Sequence, residues 1–193
     1  MKILLFALLS LAVMPSFIAC DDEDEVYLGK QIDEASVTYT VPLYRPTLEW
    51  LDYIVSYTDQ NGKIVNDTIS HDNVISGKVS LVTLAEKEPI DKEDGRASWV
   101  KNENFTTIPD SCCVKVRMRY KSNVDMPDRI DLIVPQPDMT AVVRFTDGTQ
   151  RSIIGKGQNS IVTPVMTQTE LFKSIFEKDY NSNCTFYPYV QIN

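Results

Sequence analysis

Residues 112–121, CCVKVRMRYK, alternate without a break. Cys112, Val114, Val116, Met118 and Tyr120 fall on one face of an extended chain, and Cys113, Lys115, Arg117, Arg119 and Lys121 on the other. Successive side chains of a strand point to opposite faces, so this spacing predicts a strand with one face in a core and one in water. SVTYTV (36–41) places Val37, Tyr39 and Val41 on one face in the same way. EWLDYIVSYT (49–58) carries Leu51, Tyr53, Val55 and Tyr57 on one side and Trp50 and Ile54 on the other, the two-sided pattern of a central strand. Asn61-Gly62 follows, a dipeptide that accepts positive φ at both positions of a tight turn, and KIVNDTIS (63–70) returns as the second arm of a hairpin.

VISGKVSLVTL (74–84) reads as a further β segment with Gly77 as a bulge. EKEPIDKEDGR (86–96) reads as a charged loop, and ASWVKNENFTTI (97–108) as a strand. RIDLIVP (129–135) is a short strand closed by Pro135, and AVVRFTDGTQRSII (141–154) a second hairpin turning at Asp147-Gly148. Thr167-x-x-Glu170 is a capping-box pattern, followed by the helical stripe Leu171, Phe172, Ile175 and Phe176. CTFYPYVQI (184–192) ends the chain as a strand that Pro188 confines to an edge or a bulge. Many short strands with hairpin turns and no βαβ rhythm predict an all-β protein, an antiparallel Ig-like β-sandwich with one short C-terminal helix. Gln136-Pro137-Asp138 is the one place for a seam. The 56 residues after Pro137 make a marginal unit alone, so one domain over 35–193 is expected.

The first residues have a different pattern. Behind Lys2, residues 3–14 run without a charge. As a helix they rise about 18 Å, short of the ~30 Å hydrocarbon core of a bilayer, which fits a signal-peptide core over residues 1–19. Ser16-Phe17-Ile18-Ala19-Cys20 resembles a bacterial lipobox, in which the cysteine becomes the lipidated first residue of the mature chain. Acyl chains on Cys20 then hold the protein on a membrane, at ~0.8 kcal/mol per buried CH₂. Five consecutive acids, Asp21 to Glu25, enter neither lipid nor a packed core, so residues 20–34 read as a solvated tether. Acids directly behind the lipidated cysteine resemble the surface-export signal of Bacteroides-type lipoproteins. With YIVSYTDQNGK and VKVRMRY, they make the chain similar to small surface lipoproteins of such bacteria, many of which carry Ig-like sandwiches. The resemblance implies a place, the outer membrane facing outward, and a fold, but no activity.

Charge and cysteines narrow the chemistry. Loss of the leader removes Lys2 from 19 basic residues and leaves 27 acids, moving the net charge from −8 to −9. An acidic chain is a poor candidate for nucleic acid or anionic lipid, which need clustered cations. With Cys20 spent on lipid, Cys112, Cys113 and Cys184 remain. At most one internal bridge forms, and of two neighbours on one strand only one can face Cys184. His71 is the single histidine, beside Asp72 in a loop-like SHDN, and no Cys-x-x-Cys pair exists, so a metal site of the usual zinc type is not expected. There is no G-x-S-x-G elbow and no H-E-x-x-H helix, and the glycines at 155 and 157 do not make a dinucleotide or Walker loop. The loop acids Glu86, Glu88, Asp91, Glu93 and Asp94 lack an EF-hand order. No catalytic residue and no cofactor is predicted.

Three features carry the binding expectations. Lys115, Arg117, Arg119 and Lys121 form an outward row that either pairs with acids on neighbouring strands or takes an anionic ligand. Trp99, Tyr187 and Tyr189 are rings that fill a core or stack on sugars, with Trp50 assigned to the core. Asp67-Thr68-Ile69 resembles the O-glycosylation motif of Bacteroides-type exported proteins, with Thr68 the acceptor. The expectation is a non-catalytic, lipid-anchored surface protein that recognises a polysaccharide or belongs to an outer-membrane complex. The alternatives are a fimbrial-type subunit that donates a strand and an acid-pair glycoside hydrolase.

Overall fold

The structure is a computed structural model that describes residues 31–83, 95–125, 129–155, 162–166, 176 and 178–186. The leader, Cys20, the acidic tether up to residue 30, the acids of the 86–94 loop, Tyr187 and Tyr189 lie outside the described residues, as does most of the helix predicted from Thr167. Of that helix, Phe176 is described as helical, its ring stacked on Tyr120 at 6.5 Å between centroids.

Eleven strands are described: β1 (Ile32–Tyr44), β2 (Leu51–Thr58), β3 (Ile64–Ile69), β4 (Leu81–Thr83), β5 (Arg96–Phe105), β6 (Ser111–Tyr120), β7 (Arg129–Ile133), β8 (Asp138–Phe145), β9 (Gln150–Gly155), β10 (Val162–Met166) and β11 (Tyr180–Thr185). They form a five-stranded sheet in the order β4-β5-β1-β8-β9, a four-stranded sheet β11-β6-β2-β3 and a ribbon β10-β7. Every described pairing is antiparallel. The fold is an all-β sandwich, as the alternation predicts.

Its core is built by that alternation. β1 runs through the middle of the larger sheet and turns Ala35, Val37, Tyr39, Val41 and Leu43 inward, each fully buried. Leu51, Tyr53 and Val55 of β2 and Val114, Val116 and Met118 of β6 supply the facing layer. Three hydroxyls inside, those of Tyr39, Thr47 and Tyr53, are bonded. The Tyr39 hydroxyl crosses from one sheet to the other and donates to the Thr58 carbonyl at 2.8 Å. Thr47, in the 3₁₀ turn Arg45–Glu49, donates to the Tyr44 carbonyl and meets the Tyr53 hydroxyl, both at 2.6 Å.

The two predicted hairpins form, by a different turn from the one expected. Within these two turns only Gly62 and Gly148 have positive φ; Asn61 and Asp147 do not. Gly62 N donates to Asp59 O and Asp59 N to Lys63 O, and Gly148 N donates to Phe145 O and Phe145 N to Thr149 O. This is the three-residue loop in which a turn is closed by a glycine in the left-handed region. The backbone N–H of Lys63, then that of Asn61, stabilises the Asp59 carboxylate and lowers its pKa.

Several expectations are corrected. The stretch 74–84 is not one β segment. Ser70 caps a short helix α1 (His71–Ile75) by accepting from Asn73 N at 3.2 Å, and Asp72 sits in its first turn. Gly77 (φ +73°) is no bulge but the left-handed stop after that helix, so strand resumes only at Leu81. His71 is the exposed first residue of α1 rather than a loop residue. The strand predicted from Cys184 starts earlier, as β11 from Tyr180, because polar YNSNC already alternates, with Ser182 and Cys184 buried; residues 187–192 of that prediction lie outside the described residues. β8 pairs with β1 and β11 with β6, so the chain beyond Pro137 is woven into both sheets. β1 also starts at Ile32, inside the stretch assigned to the tether.

The sheets meet closely where β9 ends. A Cβ on Gly155 would lie 2.7 Å from the Asn183 carbonyl and 3.0 Å from Ser182 Oγ. Gly155→Ala is therefore expected to lower unfolding free energy by about 1–3 kcal/mol, read as a drop in urea midpoint at unchanged m-value. Burial raises the pKa of several core groups: Cys112 is pushed up to about 12 from 9.0, Cys184 rises above 9.0, and Tyr39, Tyr53 and Tyr57 rise above 10.0. The folded chain thus keeps protons that the unfolded chain releases first. In fully reduced protein, stability is expected to hold below pH 9 and to fall progressively as pH climbs from 9 towards 12. Urea midpoints measured across that range check it, and Tyr39→Phe should flatten the decline.

Candidate functional site: the outer face of the four-stranded sheet

Strand β6 has a neighbour on each side, β2 and β11, so its outward cations face side chains from both. Register decides which of them meets an acid. Arg119 stands opposite Asp52 of β2, and its guanidinium donates to Asp52 Oδ2 at 2.8 Å. Lys121, just past the strand, reaches Asp52 Oδ1 at 3.6 Å and donates to the Leu48 carbonyl at 2.8 Å. One carboxylate, 11% exposed, thereby answers two cations. Arg117 meets Asp179, the residue before β11, at 3.0 Å. Both of those groups are about half exposed, so the pair contributes roughly 0–1 kcal/mol. Lys115 stands opposite Ser56 on one side and Asn181 on the other, both neutral. Among the described residues no carboxylate lies within ion-pairing distance of it. The expected cross-strand pairing thus holds for three of the four cations and leaves Lys115 over.

Lys115 and Arg117 border a groove of about 420 Å³ on this face. Ile54 of β2 and Ile64 of β3 provide its apolar surface, and Ser56 and Asn66 its neutral polar groups. The Ser56 hydroxyl donates to Asn66 Oδ1, and no bond among the described residues uses the Asn66 Nδ2. The groove therefore offers a cation, a guanidinium paired with the Asp179 carboxylate that also lines it, amide donors and a patch of hydrocarbon. Cys113 lies in its wall, half buried, with its backbone N–H donating to Thr58 Oγ1 at 3.1 Å. Thr68 shares the outer face of the edge strand β3, half buried, and its carbonyl accepts from Asn73 Nδ2 at 2.8 Å.

For Trp99 the expectation of a sugar-stacking ring is corrected; Tyr187 and Tyr189 lie outside the described residues. Trp99 is 3% exposed, and its ring lies 5.4 Å from Tyr57 in the core. Directly opposed to Val41 of β1, it takes the inward side of β5 and offers no platform to a ligand. Trp50 packs half buried against the core, as expected.

A second polar cluster, unforeseen from sequence, occupies the inner side near the open end of β5. Lys101 and Glu103 share the inward face with Trp99 and Phe105, and their charges lie 3.6 Å apart. Lys101 Nζ stands 5.8 Å from the Tyr57 ring centroid, and Glu103 accepts from Gln60 N at 3.2 Å. Burial works to lower the Lys101 pKa, but Tyr57, Glu103 and Asp67 outweigh it and the net direction is up. Burial and the charges of Asp67 and Glu103 raise that of Tyr57. The ammonium keeps its proton and the phenol stays neutral, so neither is tuned as a base. No group of three or more His, Cys, Asp or Glu able to hold a metal occurs among the described residues.

Compared with protein-family models, with curated proteins and with solved structures, the chain matches none of them.

Proposed function

We propose that this chain is a lipid-anchored recognition protein of the outer cell surface, and that the groove beside β6 takes an acidic polysaccharide without catalysing a reaction on it. The observation that carries the reading is Lys115. It is a cation with no carboxylate opposite it among the described residues, on a chain of net charge −8, next to a guanidinium that only an exposed acid holds. A uronate carboxylate or a sulfate pairs with Lys115 and Arg117 in charge-assisted bonds. Sugar hydroxyls suit the Ser56 and Asn66 groups, and the apolar face of a ring suits Ile54 and Ile64. Mature-chain acidity makes the site selective, because an anionic polymer is repelled except where cations are grouped. The anchor rests on the lipobox resemblance around Cys20, which keeps the domain tethered through an acidic spacer in water.

Two measurements test the two halves separately. In native affinity electrophoresis through gels containing polygalacturonate or a sulfated glycan, retention is expected and should weaken with salt. The Lys115→Ala, Arg117→Ala pair should bind at least about tenfold more weakly, since each bond to a charged group is worth roughly 1.5 kcal/mol or more. Unretarded mobility on every acidic polymer, or retention that the double variant leaves intact, refutes the groove. For the anchor, intact mass of protein purified from its native membrane should show residues 1–19 absent and acyl chains at Cys20. An unprocessed amino terminus refutes that half alone.

A further inference from the structure

We infer that Cys112 and Cys184 are a matched cross-strand pair that closes to a disulfide when the chain folds in the presence of a disulfide oxidant. Strand register carries this pairing, independently of anything the groove binds.

Cysteine count alone left either neighbour, Cys112 or Cys113, as the partner of Cys184. Pairing of β11 with β6 sets Cys184 directly opposite Cys112 and sets Asn183 opposite Cys113. Both Cys112 and Cys184 point into the core, 1% and 2% exposed. Cys113 points the other way, into the groove wall, with the Thr58 hydroxyl 3.8 Å from its sulfur. Two register steps further along, Phe186 N donates to Asp110 O at 3.1 Å. Bonded and non-bonded pairs alternate along an antiparallel ladder, so Cys112 and Cys184, two residues on, are a hydrogen-bonded pair with Cα atoms about 5.5 Å apart. That spacing lies inside the window that disulfides occupy. Their Cβ atoms, about 4.5–5.5 Å apart in such a pair, must approach to about 3.8 Å, so the strands draw together slightly when the bond forms.

The same burial dictates when the bond forms. The attacking species is a thiolate, and the desolvated Cys112 thiol releases its proton far less readily than a free one. Oxidation therefore belongs to the stage before β11 seals against β6. One thiolate attacks the disulfide of the oxidant, an exported thiol–disulfide oxidoreductase or glutathione disulfide, giving a mixed disulfide and one released thiol. The second cysteine thiolate then displaces the remaining half of the oxidant. Two protein thiols are oxidised and one external disulfide is reduced to two thiols. The link ties β11 to β6 across a 72-residue separation that contains β7, β8, β9 and β10. Cross-links that close long loops restrict the unfolded chain most.

The test is refolding of the fully reduced full-length chain in a reduced/oxidised glutathione buffer, followed by thiol counting under denaturation and peptide mass mapping. Expected is a linked peptide pair joining residues 112–113 to 184. Because Cys112 and Cys113 are adjacent, variants assign the sulfur: Cys113→Ala keeps the link, and Cys112→Ala abolishes it. Wild-type protein should also lose thermal midpoint on addition of reductant, while the Cys112→Ala protein does not shift; the wild-type comparison stands even where the variant folds poorly. Natively folded wild-type protein with Cys112, Cys113 and Cys184 all still titrating as thiols, or a link that disappears with Cys113→Ala, overturns the inference.

Discussion

The packing of β1 against β2 and β6 is the contact on which the remaining features depend. Thirteen residues of β1 cross the whole sandwich, and alternate side chains from Ala35 to Leu43 are sealed against the opposite sheet. Because the side-chain period of a strand is two, a one-residue slip would turn Tyr39, Val41 and their neighbours into water and bring Thr38 and Thr40 inside. The Tyr39 hydroxyl, bonded across the gap to Thr58, adds a directional constraint to that apolar match. A buried phenol that lost this carbonyl would be left unpaired, which penalises alternative alignments of the two sheets.

Once the inner face is set, the outer face has no freedom left. Burial of Val114, Val116 and Met118 obliges Lys115, Arg117 and Arg119 to face outward, and pairing with β2 then presents each with a fixed neighbour. Asp52 falls beside two of the cations and satisfies both, whereas Ser56 falls beside Lys115 and satisfies none of its charge. The uncompensated cation and the groove next to it are thus consequences of register, not of any local motif. Their neighbourhood is shaped by β3, whose Ile64 and Asn66 border the groove while Ile69 of the same strand stays buried in the core.

The margins of the sandwich are handled by other means. At one side, Gly155 lets β9 run against the backbone of β11, where even a methyl group would collide. At the other, Lys101 and Glu103 of β5, with Asp67 of β3 acting on the same charges, place ionised groups on the inward side of strands that would otherwise present only hydrocarbon. The exposed apolar side chains that remain on the larger sheet, Val82, Val100, Val142 and Ile154, are interleaved with Thr38, Thr40 and Thr140 on its outer face.

Sequence alone determined the class of fold, the inward sets of β1, β2 and β6 and the two hairpins, because each rests on period two and on glycine's tolerance of positive φ, which are local properties. It also held the signals for α1, a serine cap and a glycine stop, which the surrounding β-branched residues obscured. Strand β11 escaped because its inward positions include Ser182, a residue that hydrophobic patterning does not count. Only the tertiary structure decided which side chains stand opposite one another. That Asp52 answers Arg119, that Lys115 goes unanswered among its described neighbours, that Trp99 is core and that Cys112 rather than Cys113 meets Cys184 all follow from strand order and register. Those pairings join residues as much as 72 positions apart, a distance over which periodicity along the chain carries no information.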